Sequence, residues 1–484
     1  MDRMRKWAFV VAAPQSGSGK TTVTLALLAA LRRRGLRVQP FKVGPDFIDP
    51  GFHAQATGRI SRNLDGWMLS RDYNVSLFER LLAEADGAVV EGVMGLFDGY
   101  DGVSEAGSTA QMAKWLGLPV LLVVDARSMA RSAAALVHGF ASFDPGLRLA
   151  GVVFNRVGSP AHLGFLREAM ESSCPQVPVF GGIPREDAVA IPERHLGLVT
   201  VEDTGVDEAF LERLARVAEE HMDLDGLLSW SWRHPQPVVP AGEAVHGGES
   251  GGVQSVQSGS ERRPRPDRVV VAVARDAAFC FYYQDNLDLL EAAGARLRFF
   301  SPLVGEAVPE EADAVYLGGG YPEVHAERLS ENGSFFESLR RLASRGRPIY
   351  GECGGLMTLS RSIQLLSGEI VPMAGLLPFR TRMLPRRKAL GYVEVVLTEN
   401  TLLGPRGTRL RGHEFHYSEI VGGDEGAGSR CRSVYRLTGR KFRSERPEGY
   451  LAGSVLASYV HLHWGSCPQA AHHLVALARS GGSS

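Results

Sequence analysis

Cysteine is scarce in this chain of 484 residues: there are five, at 174, 280, 353, 431 and 467, and no two stand in C-x-x-C spacing. An odd number of widely separated thiols argues against a disulfide framework or a zinc cluster and fits a reducing cytosol. An excess of charge of either sign is also missing. The formal net charge is −1, so composition offers no handle for nucleic acid or a membrane surface. No apolar run approaches the roughly 18 residues that cross a bilayer. The start, "MDRMRKWAFVVAA", places basic residues before an apolar run, as a secretory signal does. That run is short and leads directly into "PQSGSGKTT", so it reads as a first strand entering a phosphate loop. No internal repeat is visible.

What is present is an ordinary globular composition, 44% hydrophobic and 22% charged, in a chain long enough for two or three domains. From Lys6 to about His221, apolar runs ("WAFVVAA", "RVQPFKVG", "GAVVEGV", "PVLLVVDA", "RLAGVVFN", "VPVFGGIP") alternate with helical patterns over 21–34, 75–85, 109–116 and 129–143. Continuous apolar strands with helical crossovers predict an α/β domain on a parallel sheet covered on both faces. Residues 234–268 are rich in Pro, Gly, Ser and charge and have no apolar period, the signature of a flexible linker. A second alternating pattern follows, with helices over 284–293 and 335–344. Shorter β-like segments run from about Ile370 to Tyr459, and a last helix covers 469–479. The expected division is a P-loop domain over 1–228, a linker over 229–267 and a second α/β domain over 268–484.

"APQSGSGKTT", Ala13–Thr22, has the form of a loop whose backbone N–H groups surround phosphate at a helix N-terminus. Ser16, Gly17, Ser18, Gly19, Lys20, Thr21 and Thr22 are the candidate nucleotide contacts. Lys20 would reach the β- and γ-phosphates, and Thr21 would ligate Mg²⁺. The usual leading glycine is replaced by Pro14. Mg²⁺ needs further hard oxygens. "KVGPDFIDP" offers Lys42, Asp46 and Asp49, and "VVEGVMGLFDGYDG" offers Glu91, Asp98 and Asp101. Asp46, Glu91 and Asp98 follow strands and sit among glycines, whereas Asp101 reads as a solvated loop charge. Asn155 ends "GVVFN" and is either an adenine reader or a turn former.

"YGECGG" places Cys353 between glycines in a strand-to-helix turn, like a nucleophile elbow. The following helix N-terminus favours thiolate over thiol. "SYVHLHWG" puts His461 and His463 on one side of a short strand, and His461 is the candidate base. Gly319 and Gly320 of "LGGGYPE", with Gly354, would supply oxyanion donors. A free cysteine is more often a buried hydrophobe, which is how the other four read. His413 and His416 of "GHEFHYSEI" line a pocket or form a polar strand.

Together, "YGECGG", "LGGGYPE" and "SYVHLHWG" resemble the class I glutamine amidotransferase domain of the cobyric acid type, a flavodoxin-like fold. "APQSGSGKTT", "KVGPDFIDP" and "VEGVMGLFDGYDG" resemble a dethiobiotin-synthetase-like, ATP-dependent amidoligase domain. In this order they resemble the cobyrinic acid a,c-diamide synthase family. The resemblance implies that Cys353 attacks the amide of glutamine, with His461 as base. Ammonia then passes to the first domain, where ATP has phosphorylated a corrinoid carboxylate. Lys20, Thr21 and Glu91 would hold ATP–Mg²⁺, with Asp46 beside them as a metal ligand. Asp46 and Asp98 would stand near the carboxylate and the acyl phosphate. Many class I amidotransferases carry a glutamate two residues after the histidine; here that position is His463. The implied partners are L-glutamine and a tetrapyrrole carboxylic acid, with no nucleic acid or membrane. The location is cytoplasmic, and a homodimer is the candidate assembly.

Two alternatives stand beside this reading. One is the same chemistry on hydrogenobyrinic acid or nickel-sirohydrochlorin. The other is a non-enzymatic nucleotide switch with a degenerate tail, which would not need Cys353. The loop over 47–59 is the expected substrate lip.

Overall fold

A computed structural model describes residues 6–185, 206–233, 268–422, 431–440 and 444–481. The N-terminal sheet has seven strands: β1 (Trp7–Ala12), β2 (Val38–Val43), β3 (Arg62–Leu64), β4 (Gly87–Glu91), β5 (Val120–Asp125), β6 (Leu149–Val157) and β7 (Val179–Pro184). Their spatial order is β3-β2-β4-β1-β5-β6-β7, and every pairing is parallel. Alternate residues of β1 face opposite sides. Phe9 and Val11 pack with the helices Lys20–Arg33 (α1) and Glu208–His221, and Ala8, Val10 and Ala12 pack into the opposite layer. Burial on both faces explains why these strands read as unbroken apolar runs.

The structure places a helix inside the expected lip: α2 covers Asp49–Thr57. Pro50 and Gly51 suggest a turn in the sequence, but proline is well suited to a first helical turn, where its missing N–H has no partner to lose. The Asp46 side chain accepts from the backbone N–H groups of Ile48 (2.8 Å) and Asp49 (3.1 Å). Phe52 and Ala56, one turn apart, are buried against the α1 layer. The helix Leu224–Arg233 crosses the expected domain boundary at 228. The remainder of the linker, 234–267, lies outside the described residues.

The second domain contributes β8 (Val270–Ala274), β9 (Arg296–Phe300), β10 (Ala314–Leu317), β11 (Ile349–Glu352), β12 (Ser362–Gln364), β13 (Ile370–Pro372), β14 (Arg380–Met383), β15 (Ala389–Leu397), β16 (Arg409–His416), β17 (Ser418–Val421), β18 (Cys431–Thr438), β19 (Arg446–Ala452), β20 (Val455–Ser458) and β21 (Val460–His463). Ten of them form one sheet in the order β21-β16-β15-β18-β19-β20-β11-β10-β8-β9. Its β9-to-β20 half is parallel, and the rest is antiparallel. A four-stranded sheet, β13-β12-β14-β17, packs beside it.

The domains meet through polar and aromatic contacts. Arg62 pairs with Asp285 (3.3 Å) and Asp288 (2.7 Å). Tyr392 donates to Asp65 (2.8 Å), and Arg411 donates to the Trp67 carbonyl (2.8 Å). Phe47, just ahead of α2, packs among Phe281, Tyr283, His413 and His461 with ring centroids 4.7–5.5 Å away.

Candidate active sites

The loop between β1 and α1 turns through Gly17 and Gly19, both at positive φ. A Cβ on Gly19 would also overlap the Asn155 amide, so both conformation and space require glycine there. Asn155 Nδ2 donates to the Ser18 carbonyl (2.9 Å), and its Oδ1 accepts from Arg156 N (2.9 Å). Its amide therefore braces the loop from below. Arg156 reaches the Gly17 carbonyl and Asp125 (2.8 and 2.6 Å).

At the first turn of α1, Thr21 Oγ1 donates to Glu91 Oε1 (2.7 Å) and lies 3.5 Å from Asp49 Oδ2. Lys42 Nζ pairs with the same two carboxylates, at 2.8 Å from Glu91 and 2.6 Å from Asp49. His53 Nε2 stands 2.7 Å from Glu91 Oε2. Burial opposes the charge on Lys42, but Asp49 and Glu91 outweigh it and hold the ammonium above the ordinary lysine range. Burial likewise opposes the charge on Glu91, and Lys42 keeps it below the usual carboxylate range. Lys20 donates to the Met94 carbonyl (2.9 Å). Burial, then the adjacent Lys42, lower its pKa. Asp98 accepts from Gly95 N (3.0 Å), and a Cβ on Gly95 would overlap both Asp98 and the Pro14 carbonyl.

Thr21, Glu91 and Asp49 thus converge, whereas the Asp46 carboxylate caps the start of α2. Sequence reasoning missed His53, and only the helical register of α2 sets it one turn beyond Asp49.

In the second domain, Cys353 sits at φ 47°, ψ −98°, between β11 and the short helix Gly354–Leu359. A non-glycine residue there is strained, a feature that concentrates at functional sites. Cys353 is 7% exposed, and its thiol donates to the Phe415 carbonyl (3.9 Å). The structure corrects the expected thiolate. Burial, then Glu323, push the thiol well above its ordinary pKa, and the backbone N–H of Gly354 offsets only part of this.

His461 lies on β21 beside β16, directly across from His413. Its ring stacks on His413 with centroids 5.0 Å apart. A Cβ on Gly319 would overlap Cε1 of His461, and one on Gly354 would press on Pro322 and the backbone nitrogen of Gly320. Gly319, Gly320, Gly354, Cys353 and His461 therefore gather at one end of the sheet. Burial, then His413, depress the His461 pKa far below the usual range, so the ring is neutral at pH 7. His413 accepts or donates at Tyr283 OH (2.9 Å), His416 stacks on Tyr459 (4.0 Å), and the His463 ring lies against Tyr283 (4.4 Å).

Between the domains lies a cavity of about 1080 Å³. Asp46, Phe47 and Tyr100 line it from one side, and Arg387, Arg440 and His461 from the other. No helix among the described residues is long and apolar enough to cross a membrane.

Residues 9–199 match the CobQ/CobB/MinD/ParA nucleotide binding domain, and residues 270–468 match the CobB/CobQ-like glutamine amidotransferase domain. The cobyrinate a,c-diamide synthase of Syntrophotalea carbinolica is 47% identical, with 97% of this chain and 98% of that protein covered. The corresponding Salmonella typhimurium protein is 43% identical over 98% of this chain and 99% of its own length. The hydrogenobyrinate a,c-diamide synthase of Streptomyces coelicolor is 43% identical over 97% of each. With both domains matched in this order and the likeness running nearly end to end, the chain belongs to the cobyrinate a,c-diamide synthase family.

Proposed function

We propose that this protein is a glutamine-hydrolysing ligase that amidates the a and c carboxylates of cobyrinic acid, using ATP. The observation that carries this reading is the cavity touching both Asp46 of the phosphate-binding domain and His461 of the amidotransferase domain. One space borders a site that can activate a carboxylate and a site that can release ammonia.

The chemistry follows in order. As Cys353 Sγ bonds to the glutamine amide carbon, its proton passes to His461. Of the expected oxyanion donors, the Gly319 N–H already donates to the Phe281 carbonyl (3.2 Å), which leaves those of Gly320 and Gly354 to receive the oxyanion. Collapse breaks the C–N bond, the proton leaves with ammonia, and water hydrolyses the thioester to glutamate. At the other site, a substrate carboxylate takes the γ-phosphoryl group of ATP, giving ADP and an acyl phosphate. Ammonia displaces phosphate and forms the amide. Lys20 and the loop N–H groups neutralise charge on the transferring phosphoryl group. The hard oxygens of Thr21, Glu91 and Asp49, with Asp46 nearby, fit Mg²⁺, which would supply charge neutralisation at the phosphates.

The cavity rim matches a polycarboxylate. Arg387, Lys388 and Arg440 all line it. Lys388 is paired with Glu419 (2.9 Å), and Arg440 donates to the Tyr100 carbonyl (2.7 Å). The Arg387 guanidinium lies over the Phe415 ring, 6.0 Å from its centroid. Arg387→Ala is expected to raise KM for the macrocycle about tenfold, the worth of one charge-assisted hydrogen bond, with KM for glutamine unchanged. Steady-state kinetics varying each substrate in turn checks this.

Hydrogenobyrinic acid is the second reading, favoured by the likeness to the Streptomyces coelicolor protein. Mass spectrometry decides between them. Purified protein, ATP, Mg²⁺ and glutamine are offered cobyrinic acid, hydrogenobyrinic acid or nickel-sirohydrochlorin separately. A diamide of cobyrinic acid is expected. Consumption of ATP and glutamine without amide from any of the three would remove the tetrapyrrole assignment.

A further inference from the structure

His461 lacks the glutamate that many class I amidotransferases carry two residues further on, since that position is His463. His463 does not orient His461. Its Nδ1 accepts from Gly465 N (3.2 Å), and its Nε2 faces Asp285 at 4.0 Å. Yet the His461 ring is not left without a carboxylate. Its Nδ1 is buried without a hydrogen-bond partner, and Glu352 Oε2 stands 4.0 Å from it.

Glu352 is the residue immediately before the nucleophile, at the end of β11, and is 1% exposed. Three donors fix it. Tyr316 OH donates to Oε2 (3.0 Å), while Tyr350 OH (2.8 Å) and the backbone N–H of Leu462 (3.2 Å) donate to Oε1. The last of these ties the carboxylate to the strand that carries His461. Among the described residues no lysine or arginine pairs with Glu352. Among the described residues, the cation placed to meet it is the imidazolium that forms when His461 takes a proton.

The ring's other edges point the same way. Cε1 faces Gly319, and His461 lines the cavity. With Nδ1 buried toward Glu352, Nε2 is the nitrogen left free to take a proton. A proton on Nδ1 directed at a carboxylate fixes the tautomer and leaves the Nε2 lone pair free as base.

We propose that Glu352 is the positioning residue of the glutaminase: it closes onto His461 Nδ1–H, sets the tautomer and stabilises the imidazolium. During attack the Sγ proton moves to Nε2 as the C–S bond forms, and it leaves with ammonia as the C–N bond breaks. Glu352 keeps its own proton state throughout and touches no reacting atom. His413 and His416 raise the cost of the imidazolium, and burial does so more strongly. Glu352 is the carboxylate placed to offset both. Burial pushes its own pKa up to about 7, so the carboxylate form that this role needs is populated from neutral pH upward.

This rests on the glutaminase reading of the second domain, and the test separates the two. Full-length wild type, Glu352→Gln and Glu352→Asp are compared for glutamine hydrolysis, for amidation driven by ammonium chloride, and for the pH profile of hydrolysis kcat. Glu352→Gln should lower kcat for hydrolysis about 100-fold with KM for glutamine within about threefold. Ammonium-driven amidation should hold, and the acid limb of the kcat profile should move. Glu352→Asp should recover part of the loss. Hydrolysis by Glu352→Gln at the wild-type rate overturns the proposal and leaves the glutaminase reading intact. Equal loss of both reactions in the Gln and Asp variants assigns Glu352 to the fold alone and also overturns it. If wild type hydrolyses no glutamine, the underlying reading fails instead.

Discussion

Cys353→Ala is expected to abolish glutamine-dependent amidation, by about 10⁴-fold or more, while amidation supplied with ammonium salts continues. The thiol is the only nucleophile at the strained turn, and it lies in a different domain from the phosphate loop. Removing the sulfur takes away a small buried group and leaves the β11–β20 pairing and the interdomain contacts in place. The same site sets a pH expectation. Burial raises the pKa of Cys353 and lowers that of His461. A raised thiol and a depressed imidazole are both neutral at pH 7, so the resting pair is thiol and imidazole rather than thiolate and imidazolium. Free enzyme should therefore react slowly with iodoacetamide at pH 7 and faster as pH rises. Because His461 stays neutral well below the range of an ordinary histidine, near pH 6.5, the acid limb of glutamine hydrolysis should follow protonation of Glu352, near pH 7, rather than of His461. Fast alkylation of Cys353 at neutral pH would show that a preformed ion pair exists and that burial does not dominate. Loss of ammonium-dependent amidation in a folded Cys353→Ala protein would contradict the division of labour between the domains.

Strands buried on both faces were legible because burial demands continuous apolar residues, as in "PVLLVVDA" for β5. The phosphate loop and the cysteine turn were legible because their glycines answer local backbone needs. What the sequence hid depends on tertiary context. β3 is only "RNL", too short and polar to show a period. α2 was hidden by Pro50 and Gly51, and with it went the register that brings Asp49 and His53 to Glu91. Glu352 carries no signal of its own in "YGECGG". Its approach to His461 exists only because β20 pairs with β11 and the chain then returns through β21. The contacts of Phe47 with rings of the other domain, and of Arg62 with Asp285, could not be read from either half alone. Local chemistry was therefore readable, and the partners that tune it were not.

Lys20→Ala is expected to remove amidation with either nitrogen source, by about 10³-fold, while leaving glutamine hydrolysis near the wild-type rate. The two lysines beside the phosphate loop differ in what holds them. Lys42 lies between Asp49 and Glu91, with its charge already balanced. Lys20 reaches only the Met94 carbonyl through the one hydrogen bond at its Nζ. It is the ammonium that can turn to an arriving phosphate without breaking an ion pair. The two substitutions should then differ in kind. Lys20→Ala should change phosphoryl transfer with little change in thermal stability. Lys42→Ala takes from the buried Asp49 and Glu91 the ammonium that both share, and should destabilise the first domain by about 3–5 kcal/mol. Kinetics with ammonium chloride and calorimetry on both variants separate these effects. Ligation retained in Lys20→Ala would remove the phosphate-loop assignment. A large stability loss in Lys20→Ala together with an unaffected Lys42→Ala would exchange the two roles.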